Sequence, residues 1–458
     1  MDIKPGAPLQ NSVFDIRCSI FFFSLPWPSR KIPPTFKFVT KRKIKPNAFI
    51  RFWSKLGPGL ITGASDDDPS GIATYSQAGA MYGLATLWTA LVSYPLMVAV
   101  QEMCARIGIV TRSGLTGVLK QHYPKPVLYG MILFSVPAII INIGADIQAM
   151  GAVTNMLFPQ VGPHWASVFF TILLLVSIIF LSYKRFAAIL KYLCLSLLLY
   201  LVVPFMVTLD YRQVFFHTFI PTFHWEKNYL AVLVGILGTT ISPYLFFWQT
   251  SMEVEEVGQR HNTIVVDKKL ISNMHQDVNF GMFLTCLVFF FIILTTGTVL
   301  FNEGIHDINT VQEAAEALRP LAGDKAYWLF ALGVIGTGML AIPVLAGAVS
   351  YIFAETFGWK EGLNKKYYEA KGFYAVIAAA LLLGLAFDYA SISPIDALLL
   401  AAVLYGVTAP FLIAIVLHIS NNPTIMGSFV NGRWSNFFGG AACLIMTVAA
   451  GILLWFFM

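Results

Sequence analysis

Long apolar stretches, separated by short polar segments, repeat along almost the whole chain. A run of about 20 apolar residues can cross roughly 30 Å of hydrocarbon as a helix. The pattern predicts eleven such spans and therefore an all-α integral membrane protein. The predicted spans are 57–80, 83–106, 126–157, 164–182, 187–209, 229–252, 278–300, 326–354, 372–388, 394–418 and 434–457.

The placement of positive charge predicts an orientation in the membrane. Cytoplasmic loops carry an excess of Lys and Arg. With the N-terminus in the cytoplasm, only four of the 30 Lys and Arg residues fall in outer loops: Arg212, Lys227, Arg319 and Lys325. An odd number of spans then puts the C-terminus outside. We therefore predict a multi-pass protein of the cell membrane with a cytoplasmic N-terminus.

The first fifty residues differ from the rest of the chain. The apolar run at 19–27 is too short to span a membrane, and no small-residue cleavage site follows it, so it does not fit a signal peptide. The stretch after it is basic and rich in proline. We predict a mostly disordered cytoplasmic tail at 1–50 and a single transmembrane domain at 51–458. A start codon assigned too far upstream would give the same pattern.

Two predicted spans contain residues that interrupt a membrane helix. The first span includes GASDDDPSG at 63–71, and the sixth includes GILGTTISPY at 235–244. Proline removes an amide donor, and in hydrocarbon the freed carbonyls need partners inside the protein or beside a watery cavity. Interrupted helices at matching positions of two halves indicate inverted repeats with a midplane site between them. We predict repeats at about 57–209 and 229–418.

Each break has a simpler interpretation. Residues 72–100 can be read as one long helix that follows an ordinary polar loop, DDDPSG. The second break can be read as a proline kink whose hydroxyls bond back to carbonyls. Hydropathy alone does not decide between these interpretations.

Composition excludes several classes of function. The chain is 57% hydrophobic and 12% charged, whereas soluble domains carry about 25% charged residues. The net charge of +6 comes from the tail and inner loops, so it does not indicate nucleic-acid binding. Five scattered cysteines without a CxxC pair predict neither a disulfide framework nor a thiolate metal site. No nucleophile–base arrangement or cofactor motif is present, so we expect neither an enzyme nor a bound cofactor.

Several motifs resemble one family of transporters. The stretch GPGLITGASDDDPSGIATYSQAGAMYGLATLW at 57–88 resembles the first-helix signature of the Nramp (natural resistance-associated macrophage protein) divalent metal transporters. The matching parts are GPG, Asp68-Pro69, QAGA, YG and LW. QEMCARIGIVTRSGL at 101–115 and IMGSFVN at 425–431 resemble later parts of the family pattern. The resemblance covers the chain from about Leu56 to the C-terminus.

The resemblance implies a fold and a site. The fold is LeuT-like, with two inverted five-helix repeats and an eleventh helix, and the site lies between broken helices one and six. In the family, the ion is bound by an Asp and an Asn of helix one and by a carbonyl and a Met sulfur of helix six. These positions correspond here to Asp68, Gly71, Thr239 and Ser242.

The departures from the family pattern change the expected ion. A thioether is a soft ligand that favours soft metals, and Ser242 replaces it with a hydroxyl. Gly71 in place of Asn is expected to enlarge the cavity. Oxygen ligands with room for retained water suit Mg²⁺, which dehydrates reluctantly. A branch of Nramp-related proteins without the methionine carries Mg²⁺, and this site resembles that branch; Mn²⁺ stays an alternative.

Proton coupling is the second property in question. A family histidine of helix six aligns with Tyr244, which we therefore expect beside the ion or in a relay. Tyrosine, with a pKa of about 10, does not titrate near neutrality. Asp146 aligns with one acid of a helix-three pair, and an acid inside a membrane span is usually functional. We predict that Asp146 is a proton or ion relay; the alternative is a structural bond to Asn142 or to the backbone.

Asp66 and Asp67 have no acidic counterpart in the family pattern. One hypothesis is that they line a vestibule that concentrates cations, or hold outer-shell waters of the ion. The alternative is that one or both cap the following helix, as Asp often does.

These observations lead to one main functional hypothesis. We predict a secondary importer of divalent cations, Mg²⁺ or Mn²⁺, that works by alternating access. An amino-acid-like solute carrier of the same fold and a proton-coupled Mn²⁺/Fe²⁺ transporter are the alternatives. The expected partners are the metal ion, the lipid bilayer and, in the coupled alternative, protons.

Overall fold

A computed structural model describes residues 57–181, 201, 209–260, 266–319, 323–389 and 393–457. The described residues form helices joined by turns and loops, and no strand occurs among them. The predicted tail at 1–50 and most of the fifth predicted span, at 187–209, lie outside the described residues.

The described helices are numbered here in chain order, and the first and sixth predicted spans each consist of two of them. The helices are α1 (Pro58–Asp66), α2 (Pro69–Tyr82), α3 (Trp88–Thr111), α4 (Leu115–His122), α5 (Lys125–Leu157), α6 (Pro163–Phe180), α7 (Tyr211–Phe219), α8 (Lys227–Thr240), α9 (Pro243–Arg260), α10 (Lys268–Val299), α11 (Val311–Glu316), α12 (Ala326–Phe357), α13 (Lys371–Phe387), α14 (Pro394–Asn421), α15 (Pro423–Met426) and α16 (Arg433–Phe457). Short 3₁₀ turns occupy Gly323–Lys325 and Gly427–Phe429.

Seven helical segments of the described chain are long and apolar enough to cross a membrane. They are α5, α6, the α8–α9 pair, α10, α12, α14 and α16, while α13 is apolar but has 17 residues. The predicted all-helical membrane architecture is therefore confirmed. The count of eleven spans stays a prediction.

The first predicted span is broken at the aspartate triplet. Helix α1 ends at Asp66, Asp67 has φ −83° and ψ 51°, and Asp68 is the extended N-cap of α2. Pro69 stands at the first helical position, where its missing N–H is not needed. The interpretation of 72–100 as one long helix is wrong, because α2 ends at Tyr82 and is capped by Gly83, whose φ of +56° suits glycine.

The sixth predicted span is also broken rather than kinked. Helix α8 ends at Thr240, and Ile241 leaves the helical region with ψ 58°. Helix α9 begins at Pro243, so the proline starts a new helix instead of bending a continuous one.

Helix α1 is held against α10 by a close backbone approach and a side-chain cap. A Cβ on Gly63 would lie 2.3 Å from the carbonyl oxygen of Gly281, so the helices can meet only through glycines here. Asp277 of α10 accepts hydrogen bonds from the amides of Gly57 (2.9 Å), Gly59 (2.7 Å) and Leu60 (3.2 Å). These amides belong to the first turn of α1, where helical donors lack partners.

We expect Asp277→Ala to destabilise the protein by about 1–2 kcal/mol, the usual effect of losing a helix N-cap acceptor. The measurement is thermal unfolding of the purified protein in detergent. Asp277→Asn is the matched control, since its remaining oxygen can still accept from these amides. A melting temperature of Asp277→Ala equal to that of the wild type would contradict the capping role.

An acidic group in the loop after α12 predicts a pH dependence of stability. Burial beside Glu355 and Glu255 raises the pKa of Glu361 from its ordinary 4.5 to about 8, although Lys365 acts in the opposite direction. The folded protein therefore keeps a proton on Glu361 that the unfolded chain releases above pH 4.5. Stability should fall as the pH rises between these two values.

The test is the melting temperature of wild type and Glu361→Gln between about pH 5 and pH 8.5, the interval set by the two pKa values. Glutamine cannot ionise, so the variant should lose less stability across this interval than the wild type. Parallel pH profiles for the two proteins would show that Glu361 does not cause the dependence.

Candidate metal site between the two helix breaks

Asp68 occupies the break between α1 and α2 and is 2% exposed. Its Oδ1 accepts a hydrogen bond from the Gly71 amide at 2.7 Å, which makes it the N-cap of α2. Its Oδ2 accepts from Asn142 Nδ2 of α5 at 2.8 Å. A helix N-terminus favours negative charge. The fold thus holds a fixed, buried carboxylate in the middle of the first span.

The two helix breaks face each other. The Tyr75 hydroxyl of α2 lies 3.2 Å from Thr240 Oγ1, at the end of α8. The Tyr244 hydroxyl of α9 donates to the Ser65 carbonyl of α1 at 2.8 Å. Each half of one broken helix therefore contacts a half of the other. Tyr244, expected beside the ion or in a relay, makes one of these links.

Thr239 and Ser242, the predicted ligands of the second break, interact with each other. The Ser242 hydroxyl donates to the Thr239 carbonyl, and both residues are 2% exposed. Ser242 also lies beside Asp66, which brings the second break close to the aspartate triplet. A cation bound at this point would take the place of the Ser242 hydroxyl proton as the partner of the Thr239 carbonyl oxygen.

Gly71 does not open the cavity as expected. A Cβ there would lie 3.2 Å from the Asp66 carbonyl oxygen and 3.2 Å from the ring of Tyr75. The space beside Gly71 is therefore already filled by these two residues. Its contribution to the site is the amide that donates to Asp68.

Asp146 of α5 lies opposite Asp68 and the Ser70 backbone. It is fully buried, no side chain of the described residues donates to its oxygens, and the backbone amide of Ser70 acts on its carboxylate. In the structural alternative, the bond from Asn142 is wrong, because the Asn142 amide donates to Asp68 instead. The bond to the backbone is supported, because the Ser70 amide acts on Asp146. Asn142 and Asp146 are four residues apart and share one face of α5. That face places an acid without a side-chain donor among the described residues beside Asp68.

Asp66 and Asp67 face α10, on the other side of the break. Both are buried, at 0% and 1% exposure. The Thr285 hydroxyl of α10 donates to the Gly63 carbonyl and lies 3.3 Å from Asp67 Oδ2. Neither aspartate caps α2, since Asp68 does so itself. The capping alternative for these two residues is therefore wrong.

The sequence did not predict three residues of this region as part of the site: Asn142, Tyr405 and Thr285. Tyr405 of α14 lies near Asp68 and Asp146, and its ring centroid is 5.7 Å from that of Tyr244. The only signal in the sequence was a polar residue inside an otherwise apolar span. Such residues are common in membrane helices and do not reveal which partner they face.

The charges in this region are all negative. The charged groups that act on Asp66, Asp67, Asp68 and Asp146 are one another, and no Lys, Arg or His of the described residues acts on them. No group of three or more His, Cys, Asp or Glu side chains in the described residues forms a ready metal cage. A bound cation would therefore be completed by carbonyl oxygens, hydroxyls and water.

The chain is similar to known membrane proteins over most of its length. Residues 59–456 match the Nramp family model, described as natural resistance-associated macrophage protein-like. The divalent metal cation transporter MntH of Caldanaerobacter subterraneus is 21% identical over 411 residues, 88% of this chain and 93% of the relative. MntH of Bacillus subtilis is 22% identical over 384 residues, 83% of this chain and 86% of the relative.

Solved structures show the same fold. The manganese transporter of Eremococcus coleocola superposes with a TM-score of 0.68 at 17% identity, over 89% of this chain and 87% of that one. MhsT in complex with L-phenylalanine superposes with a TM-score of 0.53 at 12% identity, over 87% of this chain and 97% of that one. The family match covers nearly all of the described residues, which confirms the prediction from the motifs: the chain belongs to the Nramp family.

Proposed function

We propose that this protein is a secondary transporter that moves divalent metal cations across the membrane by alternating access. The observation that carries the proposal is the buried Asp68 carboxylate, fixed at one helix break and near Tyr244 of the second, in a region of uncompensated negative charge. The Nramp family is a family of membrane transporters and not of enzymes, in agreement with the sequence-based expectation. Relatives named as divalent metal cation transporters and manganese transporters support the substrate class.

The oxygen-rich surroundings favour Mg²⁺ or Mn²⁺ over softer ions. The donors at hand are the Asp68 carboxylate, the Thr239 carbonyl and the Ser242 hydroxyl. Hard cations prefer oxygen ligands, and Mg²⁺ is usually bound through one or two carboxylates with several waters retained. A softer ion such as Cd²⁺ gains nothing from this donor set.

We further propose that proton coupling is weak and that Asp146 is the residue through which any coupling acts. Asp146 lies beside Asp68, and no side chain of the described residues donates a hydrogen bond to it. The cytoplasmic N-terminus, the external C-terminus and the inward direction of transport also belong to this proposal. The distribution of Lys and Arg supports the orientation.

An organic-solute carrier of the same fold fits this region less well. Amino-acid substrates carry a carboxylate, and four buried aspartates would repel it. The likeness to MhsT, at 12% identity, concerns the fold alone.

The test is uptake into proteoliposomes of Mg²⁺, Mn²⁺, Cd²⁺ and, as a comparison, L-phenylalanine, with the internal pH followed in parallel. We expect Mg²⁺ or Mn²⁺ to enter faster than into empty liposomes, with little acidification. Phenylalanine uptake without uptake of any divalent ion would overturn the proposal and support the solute carrier.

A further inference from the structure

The side chains of the three consecutive aspartates lie on two different sides of the helix break. Asp68 is directed to α5, where Asn142 donates to it, and Asp146 and Tyr405 lie near it. Asp66 and Asp67 are instead surrounded by Thr285 and Cys286 of α10, Tyr75 of α2 and Ser242. The carboxylates therefore lie on two sides of the break. Asp68 and Asp146 are on the α5 side, and Asp66 and Asp67 are on the α10 side.

The carboxylates on the two sides differ in the hydrogen bonds that their oxygens accept. Both oxygens of Asp68 accept hydrogen bonds, from the Gly71 amide and from Asn142. Among the described residues, the only side-chain donor beside Asp66 is the Ser242 hydroxyl, and Oδ1 of Asp67 has no donor, although Asp66 and Asp67 are 0% and 1% exposed. The Ser242 hydroxyl beside Asp66 donates to the Thr239 carbonyl instead.

The helix dipoles of α1 and α2 further increase the difference in stability between the Asp68 carboxylate and the carboxylate of Asp66. Asp68 stands at the N-terminus of α2, where the helix dipole favours an anion. Asp66 is the last residue of α1, where the dipole disfavours an anion and favours a cation. A buried charge without partners is strongly unfavourable. A bound cation would therefore stabilise the carboxylates of Asp66 and Asp67 more than it would stabilise that of Asp68.

We propose that Asp66 and Asp67 form a second cation subsite, on the α10 side of the break, which binds a hard divalent cation at the same time as Asp68 binds the first. The inference rests on the proposed function, since it concerns the same translocation region. Two carboxylates neutralise a divalent charge, and no third carboxylate, thiol or imidazole of the described residues completes a cage. The ion therefore keeps part of its water, which the hydroxyl of Thr285, 3.3 Å from Asp67 Oδ2, can bind.

The experiment is a titration of the purified full-length protein, in lipid nanodiscs, with Mn²⁺ followed by electron paramagnetic resonance. The wild type should bind two Mn²⁺ per chain. Because consecutive Cα atoms are about 3.8 Å apart, the two ions should lie within roughly 10 Å and broaden each other's spectra. The broadening is measured on the wild type and does not depend on the folding of any variant.

Three substitutions locate the two ions. Asp67→Asn and Asp66→Asn should each bind one Mn²⁺ and lose the broadening, while Asp68→Asn should lose the other ion. Asp396→Asn, at the exposed start of α14, is the matched control and should bind two. Asparagine keeps the size of each side chain, so the packing is preserved.

The outcomes separate the two proposals. One Mn²⁺ per wild-type chain that is lost in Asp68→Asn would overturn the second subsite and leave the transport proposal standing; protons on Asp66 and Asp67 would give this result. Two Mn²⁺ per chain that persist in both Asp66→Asn and Asp67→Asn would also overturn the subsite. No Mn²⁺ or Mg²⁺ binding by the wild type would contradict both proposals.

Discussion

Asp68→Asn should reduce the initial rate of Mg²⁺ and Mn²⁺ uptake into proteoliposomes by about a hundredfold or more. Removing one partner of a buried charge pair costs about 3–5 kcal/mol, and each 1.4 kcal/mol is about a factor of ten. The substitution should leave the fold intact, because Asn is as good an N-cap as Asp and keeps the bond to the Gly71 amide. The loss of uptake would therefore result from the missing negative charge and not from a disrupted N-cap of α2.

The control for this substitution is Asp396→Asn, which removes one carboxylate from an exposed position outside the site. Uptake by this variant should equal that of the wild type. A rate for Asp68→Asn within a factor of two of the wild type, at equal protein content and melting temperature, would exclude Asp68 as an ion ligand.

Ser242→Met should increase the preference for Cd²⁺ over Mg²⁺ by about tenfold or more, which corresponds to roughly 1.4 kcal/mol. A thioether is a soft ligand that binds soft metals better than hard ones. Ser242 stands beside Asp66 and against the Thr239 carbonyl, so a sulfur there would face the ion. The measurement is Cd²⁺ binding by calorimetry, with Mg²⁺ competition.

Ser242→Leu is the matched control, because leucine resembles methionine in size but has no sulfur. It should lose the Ser242 hydroxyl without gaining Cd²⁺ affinity. Equal Cd²⁺ affinities for Ser242→Met and Ser242→Leu would mean that position 242 does not face the ion and that the alignment of the sixth span is wrong.

The helix breaks could be predicted from the sequence because their causes are local. Pro69 and Pro243 each lack an amide donor and stand at the first position of a new helix, and polar residues precede both. Hydropathy alone left the polar-loop interpretation open. The turn at Gly83 excludes it, and this turn depends on one glycine in a conformation that hydropathy does not report.

The partners of the aspartates could not be predicted, because they come from distant parts of the chain. Asn142 follows Asp68 by 74 positions, and Thr285 follows Asp67 by 218. Their pairing depends on how α5 and α10 pack around the break, and hydropathy does not contain that information. The cavity expected at Gly71 is absent for the same reason. The space is filled by the Asp66 carbonyl and the Tyr75 ring, whose positions depend on the folded backbone.

Anomalous X-ray diffraction from crystals of the protein soaked in Mn²⁺ tests whether Asp68 binds the ion. We expect a Mn²⁺ peak between the two helix breaks, about 2 Å from an Asp68 carboxylate oxygen. The same peak should be absent from crystals of Asp68→Asn. Mn²⁺ peaks only at surface carboxylates, with none near Asp68, would show that Asp68 is not a metal ligand.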